Sequence, residues 1–394
     1  MELTDLLQPL NEELLPDDIL NRNRIGETIE GYFQDGPFPD LSNYQLALVG
    51  VPEDRNAVIN SGSASAPDVI REELYALHKG AIHPRIVDLG NLKRGHTPED
   101  TYFALATVLA DLISQDIIPI VIGGSQDLTF GQYKAYQKLG QIINLVSIDP
   151  RFDLGDIEGE LDNQSFLSRI ILHKPNYLFN YTNIGYQSYY IDQDAVNLLK
   201  NLLFDAYRIG VIRDNLETCE PLIRNADIIS VDMAAIRMAE APGNARPSPN
   251  GFYGEEICQI MRYAGRSDKL SSIGIYEYSP AFDPRKQTAG LIAQMIWYLL
   301  EGFAYRTNDL PAKGESPEDK HFVRYMVTIE DHEHEIEFLK SKKSDRWWMK
   351  VPCRHESPEA YERHYFVPCA YKDYQTALQN EIPDRWWQVY QKLM

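Results

Sequence analysis

At 394 residues, with 38 basic against 58 acidic side chains and a net charge of −20, the chain is acidic enough to argue against nucleic acid or an anionic membrane as partner. Its length suits one large α/β domain with a smaller appendage, and its four cysteines (Cys219, Cys258, Cys353, Cys369) are too few for a disulfide framework. No basic stretch followed by an apolar one opens the sequence, and the apolar helix candidate Leu291 to Leu300 is too short to span a bilayer, so a cytoplasmic protein is expected.

Residues 1–43 read as an acidic, proline-punctuated arm in which Leu6, Leu7, Leu10, Leu14 and Leu15 make one face of broken helices. The run Gln45 to Val51 predicts a first strand, and Pro67-Asp68, after a Ser/Ala/Gly-rich loop, starts a first helix. Ile86 to Leu89 is a second strand. Thr97-Pro98-Glu99-Asp100 has the form of a helix start, with Thr97 as N-cap, Pro98 at the first helical position and Asp100 three residues after the cap. Further strands are expected over Ile118 to Ile122, Leu145 to Ile148, Tyr181 to Gly185, Ile228 to Val231 and Ser272 to Tyr276. Between them fall helices near 129–138, 164–172, 192–202, 254–264 and 288–303. That alternation predicts a parallel, doubly wound sheet of about eight strands over residues 44–305.

Residues 306–320 have the polar, Pro/Gly/charged texture of a linker, and beyond them the hydrophobic period becomes two. Phe322 to Ile329 and His334 to Lys340 alternate like a hairpin around Glu330-Asp331-His332-Glu333, which makes 321–394 an α+β extension. His332 and His334 are expected in solvent. The tail repeats Asp-Arg-Trp-Trp at 345–348 and 384–387; its tryptophans are expected in a core, with any exposed one marking a protein interface. Cys353, His355, His364 and Cys369 have ligand-type side chains that allow a tetrahedral zinc site, the alternative being buried cysteines and surface histidines.

Three buried strands end in polar residues. Leu145, Val146 and Ile148 run into Asp149, with Arg151 and Asp153 following. Ile118 to Ile122 runs into Gly123-Gly124-Ser125-Gln126-Asp127, and Ile228 to Val231 runs into Asp232, with Ala234 two residues on. The carboxyl ends of strands in an open parallel sheet are where ligands sit.

These clusters resemble the metal-binding motifs of the ureohydrolase family (arginase, agmatinase, formimidoylglutamase), which bring two histidines and four aspartates to a pair of manganese ions. Ala241-Pro242-Gly243, Asn250-Gly251 leading to Glu256, and Ile275-Tyr276-Glu277 with Pro280, Asp283 and Thr288 support the match. It covers about residues 44 to 305, and implies an arginase-like three-layer fold and a homo-oligomer. Asp149, Asp153 and Asp232 match ligand positions, whereas Gln126 and Arg151 stand where the histidines belong and Ala234 where an aspartate does. Loss of both imidazoles weakens transition-metal selection, and a guanidinium cannot become a ligand. The resemblance so read implies no cofactor, or at most one Mg, Ca or Mn ion on Gln126, Asp149, Asp153 and Asp232. Arg151 is expected to bridge the three carboxylates in place of metal. Glu277 matches the family's glutamate near the substrate's guanidinium or amidine; the alternative is a partner for Arg151.

Two functions remain in view. In the first, the protein has lost two-manganese hydrolysis and is a binding or scaffolding subunit for an unknown protein partner or a small guanidino or amidino ligand. In the second it hydrolyses the C–N bond of a linear amidine or guanidine with one ion or a rearranged site. Arg151 discriminates: among the carboxylates it argues against an ion there, and turned away it reopens the enzyme reading.

Overall fold

Eight runs of the chain become the parallel strands of one sheet: β1 (Leu46–Gly50), β2 (Ile86–Leu92), β3 (Ile118–Ile122), β4 (Ile143–Ile148), β5 (Leu178–Tyr186), β6 (Asp205–Arg208), β7 (Ile228–Asp232) and β8 (Ser272–Tyr276). The computed structural model describes residues 2–15, 23–81, 83–156, 159–311, 321–330, 334–355 and 358–394. In space the strands lie in the order β2-β1-β3-β8-β7-β4-β5-β6, every neighbouring pair parallel. Every residue of β1, β3, β4, β7 and β8 is buried, because helices cover both faces of the sheet; their sequences therefore run apolar without alternation.

One face packs against helices Ala66–Ala76, Gly254–Gly265 and Gln287–Ala304, the other against Pro98–Ser114, Leu128–Leu139 and Phe166–Leu172. Three layers result, as the resemblance implies. The helix at Pro98 starts as its sequence predicts: Asp100 N–H donates to Thr97 Oγ1 (3.2 Å) and Thr97 N–H to Asp100 Oδ2 (2.9 Å). β6 escaped the sequence reading because Asp-Ala-Tyr-Arg carries no apolar run.

The amino-terminal arm differs from the broken helices expected. After one helical turn (Leu3–Leu6) the chain straightens, and Leu7 pairs antiparallel with Leu92 of β2, placing Leu7 and Leu10 in the core. The arm thus covers β2, whose outer edge would otherwise expose unpaired backbone groups.

The tail forms a second, antiparallel sheet in the order β9 (Phe322–Ile329), β10 (His334–Ser341), β11 (Trp347–Lys350), β12 (Phe366–Cys369). The β9–β10 pairing is the hairpin its alternation predicts, while β11 and β12 are too short to have been read. Residues 331–333 of the expected turn, His332 among them, and 312–320 of the expected linker lie outside the described residues. Trp347 and Trp348 point to opposite faces of β11: Trp347 joins the core under the tail's helices, and Trp348 packs under the Arg224 guanidinium at 4.4 Å. Trp386 is buried and Trp387 is 39 % exposed.

The tail sits on the amino ends of the main strands. Arg224 donates to the carbonyls of Trp347 (3.1 Å) and Cys369 (3.3 Å), and Arg363 Nη2 donates to the buried Asp227 Oδ1 (2.6 Å) just before β7. Among the described residues no helix is long and apolar enough to cross a membrane.

Candidate functional site

The carboxyl ends of β3, β8, β7 and β4 lie side by side at the centre of the sheet, so the four loops that leave them share one mouth. After β3 the chain turns through Gly123 (φ +89°) and Gly124 (φ +77°). A Cβ would lie 2.6 Å from Pro67 Cγ at the first and 2.5 Å from the Glu53 carbonyl at the second, so only glycine fits either place. That turn sets Gln126, almost fully buried, into the floor, where its Nε2 lies 3.3 Å from Ser230 Oγ.

Asp149, Asp153 and Asp232 are brought together as expected. Asp149 Oδ1 accepts from Arg151 N–H (2.7 Å) while its buried Oδ2, near Asp153 and Gln126, has no well-formed hydrogen bond among the described residues, and Asp232 Oδ1 accepts from Ala234 N–H (2.7 Å). Burial raises all three above the usual carboxylate range, Asp153 and Asp232 well above it, and repulsion from Asp149 adds to the rise in both. Asp153 takes a left-handed backbone (φ +49°) to reach the site.

Arg151 does not do what the sequence suggested. Its guanidinium lies over the Tyr190 ring at 4.3 Å from the centroid, and among the described residues no ion pair joins it to Asp149, Asp153 or Asp232. The ring offers a π face at the rim, and the cation turns to it rather than into the acidic floor. Its charge still acts at a distance, pulling all three carboxyl groups down by less than burial raises them.

Glu277, immediately past β8, is likewise left-handed (φ +65°) and buried. Its partners are neutral: Gln126 N–H (2.8 Å) and Asn163 Nδ2 (3.0 Å) on Oε1, and Asn60 Nδ2 (2.9 Å) on Oε2. Pairing with Arg151 is therefore corrected. Burial, opposed by these hydrogen bonds, pushes the Glu277 carboxyl up to about 7.

Gln126, Asp153, Asp232, Ala234 and Glu277 line a cavity of about 70 Å³ together with Arg151, Arg246 and the amides of Asn60, Asn163, Gln164 and Asn244. Arg246, Asn60, Asn163 and Asn244 were not foreseen as site residues. They lie in irregular loops, and their one signal is position, in segments that follow a strand or the Ala241-Pro242-Gly243 match. A larger hollow of about 430 Å³, between Tyr44 and His83, lies by the amino ends of β1 and β2, away from these groups.

The zinc site is not formed. His364 is buried against the Phe179 ring (4.2 Å) with its Nε2 3.2 Å from the Ile142 carbonyl, and burial holds its pKa well below the usual imidazole value. Cys369 is buried in the tail's core. Among the described residues no three His, Cys, Asp or Glu side chains gather closely enough to hold an ion as they stand. His334, expected in solvent, packs against Trp386 (5.4 Å) and Tyr390 (5.1 Å).

Comparison with known proteins places this site in context. The arginase family profile matches residues 44–301. Formimidoylglutamase of Staphylococcus aureus (strain MRSA252) is 27 % identical over 293 residues, covering 68 % of this chain and 92 % of that protein. Formiminoglutamase of Trypanosoma cruzi, solved with two Mn²⁺, superposes with a TM-score of 0.63 at 16 % identity, over 68 % of this chain and 96 % of that one. Formimidoylglutamase of Bacillus subtilis superposes with a TM-score of 0.62 at 20 % identity, over 78 % and 93 %. The manganese pair of the Trypanosoma protein overturns the expectation of no cofactor or at most one ion. That expectation weighed the missing imidazoles alone, and the relatives point to manganese.

Proposed function

Since the chain belongs to the arginase family, we propose that it hydrolyses the C–N bond of a linear amidine or guanidine, in the manner of formimidoylglutamase, with manganese as its cofactor. The observation that carries this reading is Glu277: a buried carboxylate, held by neutral amides and paired with no cation among the described residues, facing the cavity that Asp153 and Asp232 also line. Such a group suits the N–H bonds and positive charge of an amidinium. Arg151 and Arg246 line the same cavity, which suits a substrate with carboxylates beyond its amidine, as formimidoylglutamate has.

The donor set fits manganese in kind. The carboxylates of Asp149, Asp153 and Asp232 and the amide oxygen of Gln126 are hard oxygen donors, and Asp149 Oδ2 is buried without a well-formed hydrogen bond among the described residues. Arg151 and Ala234 add no donor. Manganese, when bound, supplies Lewis acidity that makes water a nucleophile at neutral pH. The chain's own part is to hold the amidine by Glu277, to steady anionic groups by the two arginines, and to keep solvent out of a narrow, largely buried cavity. In the overall reaction water oxygen bonds to the amidine carbon, the bond from that carbon to the amino-acid nitrogen breaks, and the nitrogen leaves with a proton as free amine. Formimidoylglutamate would give formamide and glutamate.

The scaffolding reading drew on Arg151 filling the acidic floor, and an Arg151 stacked on Tyr190 removes that support. Within the proposal also stand a cytoplasmic location, a homo-oligomer, an independent tail from residue 321 and roles for the seven site positions named from sequence. The test is formamide release from formimidoylglutamate in manganese buffer, beside urea release from arginine and agmatine. Turnover that vanishes in Glu277→Gln supports the reading; no turnover of all three substrates overturns it.

A further inference from the structure

An ionised carboxylate has about four acceptor positions, and at Glu277 the protein's own donors fill three of them. Both positions on Oε1 are taken, one by Gln126 N–H at 2.8 Å and one by Asn163 Nδ2 at 3.0 Å. On Oε2 one is taken by Asn60 Nδ2 at 2.9 Å. Asn60 Nδ2 also donates to the Glu277 carbonyl (2.8 Å), which Asn244 Nδ2 shares (3.0 Å), so the side chain is tied to its own backbone and does not swing. One acceptor position, on Oε2, is left unfilled among the described residues.

Two of these donors belong to the frame. Gln126 N–H is main chain, and Asn60 Oδ1 accepts Ala245 N–H (2.9 Å), pinning a neighbouring loop. Asn163 differs, since it is a side chain reaching in from the segment after β4, anchored by its Oδ1 accepting Val58 N–H at 3.1 Å. Remove its amide and Oε1 regains a free position beside the one on Oε2.

We propose that Asn163 is a specificity-determining residue of this site: by occupying Oε1 it leaves Glu277 a single acceptor, so the ligand's amidinium is held by one N–H rather than by a matched pair. The inference rests on the amidine reading. A planar cation with two parallel N–H bonds then gains nothing at Glu277 over a cation with one nitrogen, although a free carboxylate would favour it.

The experiment is calorimetric titration of the full chain with formamidinium and, separately, methylammonium. In the wild type the two affinities should agree within about threefold. In Asn163→Ala the ratio should shift toward formamidinium by on the order of tenfold, the worth of one added hydrogen bond to a charged group. Should Asn163→Ala melt low, Asn163→Ser, which keeps a polar atom near Val58 N–H, reads the same ratio. An unchanged ratio in these variants, with both cations lost in Glu277→Gln, overturns the inference alone. A wild type that binds neither cation, or binds both equally well after Glu277→Gln, overturns the amidine reading and the inference with it.

Discussion

Truncating Arg151 to alanine separates two pictures of the acidic floor. Had the guanidinium bridged Asp149, Asp153 and Asp232, its removal would strand buried charge at a cost of about 3–5 kcal/mol. In the structure it stacks on Tyr190, which is 37 % exposed. A contact of that kind at an exposed site is worth about 0.5–1 kcal/mol. The bond from Arg151 N–H to Asp149 Oδ1 is main chain and survives the substitution. The expected loss is therefore about 1 kcal/mol or less, a fall in melting temperature of about 1 °C for a chain this long. Thermal denaturation of both proteins at pH 7 in chelator measures it. A fall of about 4 °C or more, corresponding to about 3 kcal/mol, would refute the stacked placement and return Arg151 to the carboxylates.

Manganese at about a hundred times its dissociation constant should stabilise the wild type by about 2.7 kcal/mol, and Asp232→Asn should lose most of that gain; a melting temperature indifferent to manganese in both counts against the cofactor. Asp227 is buried and joins Arg363, Lys269 and Asn144 N–H, so Asp227→Ala should cost about 3–5 kcal/mol in urea denaturation, and a loss below about 1 kcal/mol would show the tail docks without it. Lys269 is pulled from 10.5 down to about 8 by burial, more than Asp227 raises it. The unfolded chain binds the extra proton between those values, so this lysine's cost is complete below pH 8 and fades toward about pH 10.5. Lys269→Met should then melt at or above wild type at pH 7, with its advantage shrinking by about pH 10; a loss at pH 7 that persists at pH 10 contradicts the assignment.

The sheet was legible because burial on both faces writes a strong signal. Runs such as Ile118–Ile122 and Ser272–Tyr276 are buried throughout and carry no charge, and their bounds in the structure are those read from sequence. β6 and β11 were lost for the opposite reason: four residues with polar members carry no period. At the site, strand ends marked Asp149 and Asp232, because an abrupt change from apolar to acidic is visible in one dimension, whereas Glu277 was marked by the family resemblance. Asn60 and Asn163 were not, since they reach Glu277 across sequence separations of 217 and 114 residues and their neighbours show nothing regular. Arg151 failed differently. Its position in the chain was read correctly, but its direction depended on Tyr190, a ring that no local pattern ties to it.

The two ends of the sheet divide the chain's buried charge between structure and chemistry. At the amino ends Asp227 has Arg363 and Lys269 as partners of opposite sign, and Arg224 has Glu220 at 2.9 Å. Those groups close the joint between the main sheet and the tail, and their cost of burial is partly offset on the spot. At the carboxyl ends Asp149, Asp153, Asp232 and Glu277 share a region with no ion pair among the described residues, and two of the four stand on left-handed backbone. Folding alone does not favour such an arrangement, since burial raises all four and mutual repulsion adds to it. A cation from outside the chain relieves it, and an ion and an amidinium are the two that the proposed reaction would bring.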